Sequence, residues 1–153
     1  MSKLSYLLIS SIIIGVDRLL KHWAATFLTL STPHPLLGQA IRLTRVHNTG
    51  GAFGIFPGSR TLFLAISFTA ALLITFMLST ARYRSRLINT GLSLVLAGAI
   101  GNLIDRLSMG YVLDFFEIRG LTVFNLADAC ISIGIVLIIF YTLVGGKKHR
   151  STR

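Results

Sequence analysis

Charged residues are scarce in this 153-residue sequence, at 13% of the chain, against about 25% in an ordinary soluble domain. So few charges cannot cover a water-facing surface, which excludes a soluble globular domain. Acids are scarcest of all: five Asp and Glu stand against 15 Lys and Arg, for a formal net charge of +10. The single cysteine, Cys130, excludes a disulfide within the chain, and no C-x-x-C or paired Cys/His spacing supports a zinc site. The four histidines, His22, His34, His47 and His149, show no metal-ligand spacing. No G-x-S-x-G is present, no histidine stands near Cys130 in sequence to activate it, and the Gly145-Gly146-Lys147 run lacks the earlier glycine of a phosphate loop.

What the chain has in abundance is apolar length. Apolar residues make up 53% of it, and the mean hydropathy is +0.74. About 20 helical residues cross a bilayer of about 30 Å, and four segments reach that length. Residues 61–81 and 87–104 are uncharged, residues 124–146 carry only Asp128, and residues 4–30 carry Asp17, Arg18 and Lys21. The sequence therefore predicts one integral-membrane domain over residues 1–153, an all-α membrane protein with four spans near 5–29, 61–81, 87–105 and 125–145. The start could pass for a cleavable signal peptide, but Asp17 and Arg18 stand where a small-residue cleavage site is needed, so it reads as a retained helix.

Charge fixes the expected orientation. With four spans, Lys3, Arg82, Arg84, Arg86, Lys147, Lys148, Arg150 and Arg153 share one side with no acid. The loops opposite hold Arg42, Arg45, Arg60, Arg106 and Arg119. Both termini are then cytoplasmic, and the loops at 31–60 and 105–123 face outward. Residues 41–47, the turn-like Asn48-Thr49-Gly50-Gly51 and residues 52–56 read as a β-hairpin in the first outer loop, with Phe53, Ile55 and Phe56 against the outer leaflet.

All five acids fall in the outer half or its loops: Asp17, Asp105, Asp114, Glu117 and Asp128. Asp17 lies roughly 20 Å into the slab, and Lys21, one turn later, reaches the interface where its amine can snorkel. The pair reads either as an i, i+4 ion pair that carries two charges through a membrane helix or as a direct catalytic or transport group. Asn102, Asp105 and Arg106 share a face at the end of the third span. There the macrodipole disfavours a carboxylate, so Asp105 calls for a cation, Arg106 or Lys21. They read either as a polar plug tying the helix end to a loop or as part of a site. Asn125 and Asp128 have capping-box spacing, which explains Asp128 without any chemistry. Asp114, set among Val112, Leu113, Phe115 and Phe116, resists explanation as simple solvation. If it folds back to Asp128, two carboxyls share a proton, one acting as base and the other as acid, which suits water attack on an amide.

Together these motifs resemble the lipoprotein signal peptidases, or signal peptidase II, a family of bacterial inner-membrane aspartic peptidases. The resemblance is carried by Asp17 with Lys21, residues 48–53 (NTGGAF), 101–106 (GNLIDR), 112–115 (VLDF) and 124–128 (FNLAD). It implies four transmembrane helices with a small outward β-cradle, and a catalytic pair falling on Asp114 and Asp128. Asp105, whose NLID run mimics the NLAD run around Asp128, is then a supporting residue. Asp17, Lys21, Asn48, Asn102, Arg106 and Asn125 join it in support and substrate positioning. The resemblance further implies prolipoprotein substrates bearing a diacylglyceryl cysteine and cut just before it, inhibition by globomycin, and no metal or other cofactor. The expected state is a monomer in the lipid bilayer with no nucleic-acid partner. Two departures stand out: Gly51 where the family pattern has alanine, and a short stretch between Asp114 and Asp128. Of the pair, Asp128 is expected to ionise more readily, because a helix N-terminus favours its charge. Two readings from other classes are a small four-helix transporter coupled through Asp17, which would gather polar groups at the midplane, and a membrane scaffold, which would leave these charges without a role.

Overall fold

The computed structural model describes residues 3–51, 56, 58–80 and 85–145. The described chain forms four long helices, α1 (Lys3–Phe27), α2 (Arg60–Thr80), α3 (Arg86–Ser108) and α4 (Leu126–Gly145). Between them lie four strands, β1 (His34–Leu37), β2 (Ile41–Asn48), β3 (Val112–Ile118) and β4 (Thr122–Phe124). The fold is mostly helical with one small antiparallel sheet, rather than all-α.

By length and composition α2, α3 and residues Leu126–Val144 of α4 can each cross a membrane. α1 has the length, at 25 residues, but Asp17, Arg18 and Lys21 set it apart in composition. Its pattern is inverted relative to a soluble helix. Tyr6, Ser10, Asp17, Lys21 and Ala24 form its buried face, while Leu4, Leu8, Ile12, Leu19 and Trp23 are exposed. Polar groups turned inward and apolar groups turned outward suit a lipid surrounding.

α3 is the central helix, packed against the other three. Small residues let it approach α4 backbone to backbone. A Cβ built on Gly98 would lie 2.3 Å from the Ala127 carbonyl oxygen, and one on Gly134 would lie 2.5 Å from that of Gly91. Such contacts depend on glycine at the helix interface. Tyr6, Ile74, Leu78, Leu92 and Leu96 form an apolar core among α1, α2 and α3.

The sheet has the order β1-β2-β3-β4, so both outer loops build it. Of the expected hairpin, only the first strand falls within the described residues. Strand 41–48 is present, but it pairs backward with β1 and across the chain with β3. The expected returning strand, 52–56, lies outside the described residues except for Phe56, which is exposed. Arg82, Arg84 and residues 147–153, on which the charge count partly rests, also lie outside them.

β3 and β4 form a tight hairpin whose turn is closed by the Leu121 N–H donating to the Ile118 carbonyl. Gly120 sits in that turn at φ +76°, a conformation glycine adopts without strain. The short Asp114-to-Asp128 stretch is therefore a strand, a turn, a strand and one linking residue. Leu113 and Phe115 pack on Ala24 of α1 and on Leu28 just past its end. Alternation along the strand then turns Asp114 to the opposite face.

Candidate active site

Two elements meet here. Asp114 lies on β3 and is 1% exposed; Asp128 lies in the first turn of α4. Asn48 pairs with Val112 in the register, two residues from Asp114, so both side chains share one face. The Asn48 amide Nδ2 donates to Asp114 Oδ2 at 3.0 Å, and the Asn125 amide Nδ2 donates to Asp114 Oδ1 at 2.7 Å. Asn102 Nδ2 donates to Asp128 Oδ1 at 2.8 Å.

Asn125 joins the two halves. Its Oδ1 accepts the Asp128 N–H at 2.9 Å, while Asp128 Oδ2 accepts the Asn125 N–H at 3.4 Å. That reciprocal pair is a capping box. The same Asn125 amide that reaches Asp114 also donates to Asn102 Oδ1 at 3.2 Å. The capping reading of Asn125 and Asp128 is therefore present, and it leaves the Asn125 amide free to bond Asp114 and Asn102.

Behind the asparagines lies a buried ionic cluster. Lys21 is 2% exposed, so its amine turns into the protein rather than snorkelling as expected. Its ammonium lies 3.0 Å from Asp17 and 2.8 Å from Asp105, and donates to Asn102 Oδ1 at 3.1 Å. Asp105 draws its cations from Lys21 and Arg18; Arg106, its expected alternative partner, turns elsewhere. Arg18 was not anticipated as a site residue. The signal was a second cation in a membrane helix beside an acid, since such a charge requires a partner.

Arg106 is buried and secures the Asn48 loop. Its Nη2 donates to the Gly50 carbonyl at 3.1 Å, and its guanidinium lies 5.1 Å from the Phe63 ring centroid, within cation–π range. Asn48 Oδ1 accepts the Gly50 N–H at 2.9 Å. A Cβ on Gly51 would meet the Phe63 ring at 2.4 Å, so glycine at this position admits the ring that carries Arg106. Ala52 and Phe53, the end of that motif, lie outside the described residues.

Two apolar clefts converge on Asp128. One, of about 300 Å³, lies between the β3–β4 hairpin and α4 and is lined by Asn48, Ile118, Thr122, Phe124, Asp128 and Ser132. The other, of about 240 Å³, lies among α2, α3 and α4 and includes Phe63, Asn102, Arg106, Asp128 and Ser132. Burial first, and the negative charge of Asp128 second, push the Asp114 carboxyl from the usual 3.8 up to about 7. The Asn48 and Asn125 amides and Lys21 pull the other way. Near neutral pH such a carboxyl can hold a proton while a neighbour is charged, the condition for paired acid and base chemistry.

The remaining acid stands apart: Glu117 accepts from Arg42 and Thr44 on β2, and those bonds hold its carboxyl below the usual range. Cys130 is buried in α4. Among the described residues no group of three or more His, Cys, Asp or Glu is placed to hold a metal ion.

Residues 9–144 match a family model described as signal peptidase (SPase) II. A lipoprotein signal peptidase of Lactobacillus johnsonii is 35% identical over 145 residues, covering 94% of each chain. Another, of Caldicellulosiruptor bescii, is 40% identical over 134 residues, covering 88% of this chain and 87% of its own. Among solved structures, one described as "Bacterial membrane enzyme structure by the in meso method at 2.3 A resolution" superposes with a TM-score of 0.89. It is 26% identical and covers 97% of this chain and 93% of that one.

Proposed function

The chain belongs to the signal peptidase II family, bacterial membrane proteases that process prolipoproteins, and from that premise we propose that Asp114 and Asp128 are its catalytic pair. The observation that carries the assignment is the Asn125 bridge, which bonds Asp114 through its amide and Asp128 through its carbonyl and backbone N–H. Asp128 lines both clefts and removes a proton from water as the water oxygen attacks the scissile carbonyl carbon. Asp114, protonated, gives its proton to the carbonyl oxygen. When the tetrahedral adduct collapses, the C–N bond breaks, the proton held by Asp128 passes to the leaving nitrogen, and one adduct hydroxyl returns a proton to Asp114. Asn102, Asn125 and Asn48 orient the carboxyls. Asp17, Lys21, Asp105 and Arg106 hold the backbone that presents them.

The substrate of this reading is a prolipoprotein whose cysteine carries diacylglycerol, cut just before that cysteine. Two largely apolar clefts meeting at one carboxyl suit a substrate with both a hydrophobic signal segment and acyl chains. The reading also takes residues 1–153 as a single domain with α1 as the fourth membrane span, supported by its outward apolar stripe. Both termini face the cytoplasm and the pair sits at the outer face of the inner membrane, where acyl chains stay in lipid while the scissile bond meets water. The enzyme acts as a monomer, without metal, and is blocked by globomycin.

The test is cleavage of one prolipoprotein with and without its diacylglyceryl group by the purified protein in detergent micelles, with products read by mass spectrometry. The expected result is a cut immediately before the modified cysteine and little cleavage of the unmodified precursor. Equal cleavage of both forms, or a cut elsewhere, overturns the substrate assignment.

A further inference from the structure

Two buried carboxylates, Asp17 on α1 and Asp105 on α3, play matching roles. Asp17 Oδ1 accepts the N–H of Ala127, the residue before Asp128, at 3.2 Å. Asp105 Oδ2 accepts the N–H of Leu113, the residue before Asp114, also at 3.2 Å. The backbone on which each member of the pair rides is thus pinned by one of these two carboxylates. Arg18 spans them: its Nη1 donates to Asp105 Oδ1 at 2.5 Å, and its Nη2 to Asp17 Oδ2 at 2.9 Å and to the Gly101 carbonyl at 3.2 Å.

We propose that Arg18 is a positioning residue for the reaction, a rigid fork that fixes the separation of Asp17 and Asp105 and through them the separation of Asp114 and Asp128. The inference rests on the assignment of that pair. Lys21 touches the same two carboxylates, but an ammonium is a point charge that can follow either one. A guanidinium holds its two nitrogens at a set distance. Asp17 already lies against α3, close enough that a Cβ on Gly101 would be 2.9 Å from its Oδ2. Arg18 is also the most accessible member of the cluster: its side chain is 29% exposed, against 3% or less for Asp17, Lys21 and Asp105. It can therefore be changed with the least disturbance to packing.

Without Arg18, two carboxylates share one ammonium and repel, and the two pinned N–H groups move apart with them. Charged groups acting at the pair are Lys21 from α1, Arg106 from α3 and the two aspartates themselves, while Asp105 acts on Arg106; β2 contributes the neutral Asn48. Wider spacing weakens the repulsion by Asp128 that raises Asp114, so the high-pH limb of the rate profile moves to lower pH. Loss of a positive charge acting directly on the pair would move it to higher pH. The two causes have opposite signs.

The experiment measures kcat and KM for the diacylglyceryl prolipoprotein from pH 5 to 9 in wild type, Arg18→Gln and Arg18→Lys. The expected result for Arg18→Gln is kcat reduced by roughly tenfold to a hundredfold, the range for a displacement approaching 1 Å. KM stays within about twofold, and the high-pH limb shifts down. Arg18→Lys keeps the charge without the fork and recovers only part of the loss; should Arg18→Gln fail to fold, Arg18→Lys carries the same criterion. A wild-type profile in Arg18→Gln, an upward shift of the limb, a loss confined to KM, or full recovery by Arg18→Lys each overturns the proposal. Failure of the underlying reading is separate, since it would show as activity surviving Asp114→Asn or Asp128→Asn with Arg18 intact.

Discussion

Replacing Asp114 by Asn removes a carboxyl that the fold keeps protonated up to about pH 7, and stability should record this as a change in pH dependence. In the unfolded chain this group ionises near 3.8; in the folded chain it ionises at about 7. Between those values folding takes up a proton, so wild-type stability falls as pH rises from about 4 to about 7 and levels off above. At about 1.4 kcal/mol per pH unit, the loss is up to about 4 kcal/mol for a side chain 1% exposed. Asn cannot ionise and lacks that slope. It has a constant handicap, because one end of its amide is an NH₂ that faces the donor of Asn48 or Asn125, a mismatch of about 1–3 kcal/mol. The variant should therefore be less stable than wild type at pH 4 and equally or more stable at pH 8. Thermal unfolding followed by the helical circular dichroism signal in detergent, at pH 4, 6 and 8, gives both curves. Parallel curves, with the variant lower by the same amount throughout, would refute the reasoning, since Asp114 would then ionise alike in both states.

Cleavage by the wild type should itself decline as pH rises through about 7, where Asp114 loses the proton it donates; a rate flat to pH 9 contradicts that role. Gly98→Leu should abolish activity and lower the unfolding midpoint, because its first side-chain carbon would lie 2.3 Å from the Ala127 carbonyl at the turn that carries Asp128. Gly15→Ala, with nothing within 4 Å, should raise helix stability by about 0.5–1 kcal/mol and leave kcat unchanged. Phe115→Ala removes a ring that is 1% exposed and packs β3 onto α1. A loss of about 3–5 kcal/mol in equilibrium unfolding is expected.

What the sequence made legible depended on range. The two uncharged spans and the one that carries only Asp128 appear as helices within a few residues of their expected ends, because continuous apolar length is a local property. The sheet was half visible. β2 announced itself by composition, but its partners β1 and β3 did not, and β3 lies about 70 residues away in the chain. Pairing at that distance leaves no local signature, and the two acids within VLDFFEI disguised a strand as a loop. Lys21 illustrates a different limit. Its depth along α1 was readable, but whether it turned to lipid or to Asp105 depended on where α3 ended up. Asn125 had two sequence readings that need not exclude each other, since its side-chain amide caps with its oxygen and donates to Asp114 with its nitrogen. Arg18 was overlooked because its second partner, Asp105, lies 87 residues on.

The central claim is that Asp114 and Asp128 together perform the cleavage. Its most direct test is the rate at which purified Asp114→Asn and Asp128→Asn variants cut a diacylglyceryl-modified prolipoprotein, beside Glu117→Gln, whose acid is tied to Arg42 and Thr44 on the sheet. The account predicts no measurable cleavage by either aspartate variant and near wild-type cleavage by Glu117→Gln. Undiminished cleavage by either aspartate variant would contradict it.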